Sequence, residues 1–143
     1  MSADEDFEVV REAWAMQSRE GNVNCWLHLA AEDIELVPFG ADLQGKVYRG
    51  HEGLLEWWDT EIAPNWESFE ALPQQFQAVD RRLLIFGRWR ARGRTSGVEL
   101  DAPGTWIIEV RDGKIAWLQT YTDRSEALEA VGLNPTPPDP NAA

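Results

Sequence analysis

The stretch Gly104-Thr105-Trp106-Ile107-Ile108-Glu109-Val110-Arg111-Asp112-Gly113-Lys114-Ile115-Ala116-Trp117-Leu118-Gln119-Thr120-Tyr121 decides the fold. Asp112-Gly113 is a strong hairpin signal, because a two-residue type I′ turn needs positive φ at both positions. Counting outward from the turn, Val110 opposes Ile115, Ile108 opposes Trp117, Trp106 opposes Gln119 and Gly104 opposes Tyr121. Side chains alternate across a strand. One face of this hairpin is therefore expected to carry Trp106, Ile108, Trp117, Gln119 and Tyr121.

Upstream, Ile85 to Arg94 alternates as strictly. Arg88, Arg90, Arg92 and Arg94 point one way, and Gly87, Trp89, Ala91 and Gly93 the other. A tight turn near Thr95-Ser96-Gly97 brings back Val98-Glu99-Leu100-Asp101. A Thr95-Ser96 turn sets Arg92 opposite Glu99 and Arg90 opposite Asp101; a Ser96-Gly97 turn sets Arg94 opposite Glu99 and Arg92 opposite Asp101. Either register pairs bases with acids across the ladder, so the arginine run reads as a salt ladder or a subunit contact rather than a nucleic-acid stripe. With no net bulge at Pro103-Gly104, Trp89 and Leu100 join the Trp106 face.

That apolar face needs a cover, and the first half of the chain supplies helices. Phe7, Val10 and Trp14 recur at helical spacing before Gly21-Asn22, which places Trp14 in an inward stripe. A second helix is expected with Asn22 as its cap and Val23, Trp26, Leu27 and Ala30 buried. A third runs from about His51 to Ala63, burying Leu54, Leu55, Trp58 and Ile62, with Trp57 at the edge of the stripe and Pro64 as its stop. Asp33-Ile34-Glu35-Leu36-Val37 alternates as a strand closed by Pro38-Phe39-Gly40, and Trp66 and Phe69 mark the next strand region. The expected fold is α+β, with three N-terminal helices packed on a curved, mostly antiparallel sheet. Residues 1–133 read as one domain, and residues 134–143, with four prolines, as a disordered tail.

A chain of 143 residues builds one core without a metal or disulfide staple. Its 15 aromatic residues include eight tryptophans, and 25 acidic against 13 basic side chains give a net charge of −12. Such acidity excludes a reader of phosphate backbones and a binder of anionic membranes. The acidic start, Met1-Ser2-Ala3-Asp4-Glu5-Asp6, holds no apolar signal region, and the apolar runs fall far short of a membrane span, so a cytoplasmic protein is expected. Cys25, within Cys25-Trp26-Leu27, reads as a packed thiol. His28 projects off its helical stripe and His51 lies far from it in sequence. No metal, cofactor, phosphate loop or nucleophile elbow is expected.

The order helix, helix, strand, helix and long antiparallel sheet resembles the nuclear transport factor 2-like superfamily, and within it the SnoaL-like group. The segments that carry the resemblance are Gly21-Asn22, Ala31-Glu32-Asp33-Ile34-Glu35-Leu36, Tyr48-Arg49-Gly50-His51-Glu52-Gly53, Arg94 to Asp101, Arg111-Asp112-Gly113-Lys114-Ile115 and Tyr121 to Leu128. The resemblance implies a cone-shaped fold that hosts ketosteroid isomerases, polyketide cyclases, epoxide hydrolases, dehydratases and silent binding modules, commonly as homodimers through the sheet. The isomerase pattern places a Tyr on the first helix, an Asp before the strand-ending Pro and an acid on a late strand. Those positions are Trp14, Val37 and Trp106 here, the last where SnoaL-like relatives often place a His. An indole N–H donates a hydrogen bond but cannot accept a substrate proton, so that enolisation set is absent and the catalytic residues stay unassigned. Glu61, about 60° from the centre of the third helix's buried stripe, reaches toward the cavity mouth.

The leading expectation is a protein that binds a small apolar or aromatic molecule in a tryptophan-lined cavity between helices and sheet. Trp14, Trp89, Trp106, Gln119 and Tyr121 are the expected lining, with Trp26, Trp58 and Tyr48 behind them. Two other classes stay open. One is a cyclase- or isomerase-class enzyme with a rearranged acid–base pair; the other is a dimeric interaction module with a filled core and the Arg/Glu face as its interface.

Overall fold

Helix α1 (Ala3–Glu20) starts at Ser2, where a capping box satisfies two otherwise unpaired N–H groups, and stops at Gly21 in the left-handed conformation. The computed structural model describes residues 2–38, 46–121 and 124–132. The buried stripe of α1 is Phe7, Val10, Ala13, Trp14 and Gln17, the stripe the spacing predicts with Gln17 added.

The second expected helix is only a 3₁₀ turn, Asn24–His28. The Asn22 side chain accepts the Asn24 N–H (3.0 Å), and the chain is already committed to a strand at Ala30, where the Ile115 N–H donates to the Leu29 carbonyl (2.7 Å). Too few residues remain for an α-helix. Strand β1 (Ala30–Val37) follows, then β2 (Tyr48–Arg49) and helix α2 (Gly50–Trp57), which widens into a π turn over Trp58–Ile62. Strands β3 (Trp66–Val79), β4 (Arg82–Gly93), β5 (Glu99–Arg111) and β6 (Lys114–Tyr121) come next, and helix α3 (Arg124–Ala130) closes the described chain. The helices are thus not all N-terminal, as the sequence reading has them. The expected tail, residues 134–143, lies outside the described residues.

The sheet runs β2-β1-β6-β5-β4-β3, and of these pairings only β1 with β6 is parallel. The β4–β5 register sets Arg92 opposite Glu99 and Arg90 opposite Asp101, the first of the two alternatives. Between β3 and β4 the register shifts at Pro73/Gln75, and Gly87 is needed there, because a Cβ would lie 2.0 Å from the Leu72 carbonyl oxygen.

The second hairpin departs from the simple count. Its turn is as expected, with φ of 52° at Asp112 and 77° at Gly113, and Val110 opposes Ile115. The next pair is Glu109 with Trp117, which leaves Ala116 as an extra residue on β6. From there Ile108 opposes Leu118, Ile107 opposes Gln119, Trp106 opposes Thr120 and Thr105 opposes Tyr121. The parallel β1 ladder jumps at the same place, from Ala30–Ile115 to Glu35–Trp117. A bulge of one residue reverses the faces of everything beyond it. Trp117, Gln119 and Tyr121 therefore leave the Trp106 face, and Leu118 and Thr120 replace them.

Each face has its own cover. Phe7, Trp14, Trp58, Ile85, Trp106, Ile108 and Leu118 belong to one core under α1 and α2, on what we call the inner face. On the outer face, Leu84 and Ile107 pack with the fully buried Ala127 of α3, flanked by Phe86, Trp117, Tyr121 and Leu128.

Candidate functional site

The inner face carries an aromatic chain of contacts. Trp14 of α1 and Trp106 of β5 stand with ring centroids 4.9 Å apart. Gly104 makes room for this, since a Cβ there would lie 2.3 Å from the Trp106 ring. Phe69 of β3 meets Trp57 and Trp58 edge-on at 6.3 and 6.4 Å and Trp89 of β4 at 6.4 Å, and Trp89 in turn meets Trp66 at 6.5 Å. Trp57, Trp66, Phe69 and Trp89 are half-buried, so the outer end of this chain is open.

The polar edges of these rings are informative. Trp26 donates its indole N–H to the Ala13 carbonyl (3.1 Å), which fastens the 3₁₀ turn to α1. Among the described residues, no such acceptor faces the indole N–H of Trp14, Trp58 or Trp106, although these residues are only 4, 9 and 5 % exposed. Among the described residues no fully enclosed side-chain nitrogen or oxygen is left without a partner. These three N–H groups therefore border space that water can enter. Gln17, 3 % exposed, donates to the Phe69 carbonyl at 3.5 Å, which leaves its amide oxygen free to accept.

At the end of α2, the Tyr48 hydroxyl donates to the Glu61 carboxylate. Burial first, and then the carboxylate beside it, raises the Tyr48 pKa above the ordinary 10.0. The π turn positions Glu61: the Ala63 N–H reaches back to the Trp58 carbonyl (2.8 Å), and the Asn65 side chain holds the Glu61 carbonyl (2.8 Å).

The outer face is polar and paired. Arg88 donates to Asp101 (2.7 Å), Arg90 lies 3.5 Å from Asp101 and 3.7 Å from Glu70, and Arg92 pairs with Glu99. Arg94 leaves this ladder and instead donates to the Ala63 and Trp66 carbonyls (2.9 and 3.2 Å). The Arg88 hydrogen bond is the main cause holding the Asp101 carboxyl below its ordinary value. Further along, a groove of about 420 Å³ is floored by Trp117, with the Arg82 guanidinium 4.2 Å from its ring. Three ion pairs fill its walls: Arg49–Glu35 (3.2 Å), Arg82–Glu109 (3.6 Å) and Arg111–Asp33 (2.6 Å).

Of the residues singled out from sequence, the structure gathers Trp14, Trp58, Trp89 and Trp106 on the inner face. Tyr48 lies in the same core beside α2, and Trp26 is committed to α1. Gln119 and Tyr121 stand on the outer face, because of the Ala116 bulge. The sequence reading missed Gln17 and Phe69 as neighbours of the inner-face tryptophans. Gln17 was legible as Trp14 plus three on one helix face, whereas Phe69 follows only from the β3–β4 register. His28 is exposed, and Cys25 is buried with its thiol pKa raised by that burial, so neither offers a nucleophile or base to the inner face. Among the described residues no group of His, Cys, Asp and Glu is placed to hold a metal ion, and no helix is long and apolar enough to cross a membrane.

The SnoaL-like domain family matches residues 8–118. The chain belongs to that family. No curated protein matches it by sequence, but solved structures share the SnoaL-like fold. One, a nuclear transport factor 2-like protein of unknown function from Burkholderia pseudomallei, superposes with a TM-score of 0.70 at 16 % identity over 92 % of this chain and 99 % of that one. TerC, co-crystallised with polyporic acid, gives 0.69 at 19 % identity over 89 % and 98 %. A Mycobacterium tuberculosis protein in complex with estradiol-17β-hemisuccinate gives 0.65 at 18 % identity over 82 % and 92 %. At these identities the likeness is one of fold.

Proposed function

We propose that this SnoaL-like protein binds a small apolar or aromatic molecule between the inner sheet face and helices α1 and α2, against Trp14, Trp58, Trp89 and Trp106. The observation that carries the reading is the set of three nearly buried indole N–H groups with no protein acceptor. Donors that reach only water are available to a ligand, and a ligand with acceptor atoms can take the water's place while its apolar body covers the rings. Two proteins of this fold hold ring-bearing small molecules, polyporic acid and an estradiol ester, which supports the reading by analogy.

The test is a thermal-shift screen of steroids, aromatic polyketides, terpenoid epoxides and fatty acids, read together with tryptophan emission. Saturation at a hundred times the dissociation constant adds about 2.7 kcal/mol of stability. A hit that alters tryptophan emission and weakens in Trp58→Phe and Trp106→Phe supports the cavity. If no compound in the panel shifts either signal, the core is filled and the proposal fails.

The interaction-module reading has a separate observation in its favour. Val98 and Leu100 are exposed at the β4–β5 hairpin, Leu100 opposite Ala91 on the inner side and Arg90 and Arg92 on the outer side, and a homodimer that clasps both sides of this hairpin would cover them. Sedimentation equilibrium checks it: a dimer that dissociates in Val98→Asp or Arg90→Glu supports it, and a monomer at all concentrations removes it.

A further inference from the structure

Within the cavity reading above, one polar group has no use yet. Glu61 is half-buried, and among the described residues its carboxylate meets the Tyr48 hydroxyl but no cationic side chain. A carboxylate accepts several hydrogen bonds at once, so the one from Tyr48 holds it in place and leaves it able to accept another. Trp57 and Trp58 precede Glu61 by one helical turn, Phe69 stands edge-on to both indoles, and the Tyr48 ring lies alongside. A carboxylate beside several aromatic faces suits an ammonium, which is drawn both to the negative charge and to the ring quadrupoles.

Two further observations point the same way. Residues 46–70 hold six carboxylates against two basic side chains, Lys46 and Arg49; Arg94 at the Ala63 and Trp66 carbonyls and Arg90 beside Glu70 offset two more, and the remaining negative charge favours cations over anions. The chain's own ammonium also shows the geometry: Lys46 Nζ sits 4.7 Å from the centroid of the Tyr48 ring while 3.6 Å from the Glu56 carboxylate. The indole N–H of Trp58, without a protein acceptor but open to water in a residue that is 9 % exposed, lies one turn from Glu61 and suits an acceptor atom on the same molecule.

We propose that the aromatic cavity takes an amine-bearing aromatic molecule, with its ammonium paired to Glu61 and its ring body against Trp57, Trp58 and Phe69. Lys46, seated over the Tyr48 ring, is then a competitor for the ammonium's place beside Tyr48 and Glu61.

Three naphthalene probes of one skeleton test this: naphthylmethylammonium, naphthylmethanol and naphthoate, titrated into the full chain at one ionic strength and followed by tryptophan emission. The ammonium is expected to bind about tenfold tighter than the alcohol, and naphthoate more weakly than either. Glu61→Gln keeps an acceptor for the Tyr48 hydroxyl and removes the charge. It should erase most of the gap between ammonium and alcohol and melt as the parent does. Lys46→Gln should tighten the ammonium and not the alcohol. If the alcohol binds as well as the ammonium, or the gap survives Glu61→Gln, the amine proposal falls and the cavity stands. If none of the three probes binds, the cavity reading falls and takes this one with it.

Discussion

On the inner face of the sheet, Trp14, Trp58 and Trp106 leave their indole N–H groups without a protein acceptor, whereas on the outer face Arg88, Arg90 and Arg92 each meet a carboxylate across the ladder. Both faces come from the same alternating strands, so the difference lies in what stands over them. The inner face is roofed by α1 and α2, whose large rings cannot fill a concave surface and satisfy every polar edge together. The outer face lies open along the ladder, where long charged side chains reach their partners freely, and is sealed at its centre by the small Ala127 of α3. Under the roof, N–H groups that only water meets are what the proposed ligand would engage; along the ladder, paired charges in water serve solubility and register.

The largest expected effect removes the residue that divides the two faces. Deleting Ala116 restores the simple hairpin count and turns Trp117, Gln119 and Tyr121 inward against α1 while drawing Leu118 outward. The deletion should abolish folding, seen as loss of the cooperative melt and of soluble yield. A folded deletion variant would show that the bulge does not set the faces.

Trp106→Ala comes next. It removes a nearly buried ring tilted against Trp14 and should cost about 3–5 kcal/mol in denaturant unfolding. It also leaves a cavity where the ring stood, and a small aromatic added in trans is expected to recover part of the loss. A cost under about 1 kcal/mol would mean that the ring contributes little to packing. On the outer face, Ala127→Asp places a carboxylate against Leu84 and Ile107. The expected cost is smaller, about 2 kcal/mol, because α3 can undock while the sheet stays folded; faster amide exchange confined to β5 and β6 would report that undocking.

Arg92→Ala should cost no more than about 1 kcal/mol, and less in high salt, because it breaks an exposed pair. The smallest effect is a titration. Asp101 has a folded pKa below 3.8 because of Arg88, so its favourable contribution is complete above the unfolded value and is lost as pH falls through the folded one. Arg88→Gln should raise the Asp101 midpoint toward 3.8 in an NMR titration; an unmoved midpoint would assign the shift to another cause.

Much of this was legible in the chain. The α1 stripe, the Asp112-Gly113 turn and the Arg/acid ladder each depend on a local period and on neighbours a few residues away. The second helix was not legible as a 3₁₀ turn, because what shortens it is the tie from Ile115 to Leu29, far apart in sequence. In the site, Trp14, Trp89 and Trp106 were placed correctly on one face by counting. Gln119 and Tyr121 were not, since counting assumes a regular ladder and Ala116 carries no signal that it will be the unpaired residue.

The sequence by itself determined which residues are apolar, which strands turn back on which, and that the charges on the arginine strand would neutralise. Those outcomes follow from side-chain alternation and turn chemistry, which act within a few residues. Only the tertiary structure decided which rings face each other and which polar groups go unmet. A strand that must pair with β5 on one side and with β1 on the other can satisfy both only by a bulge, and that demand arises from two distant segments together.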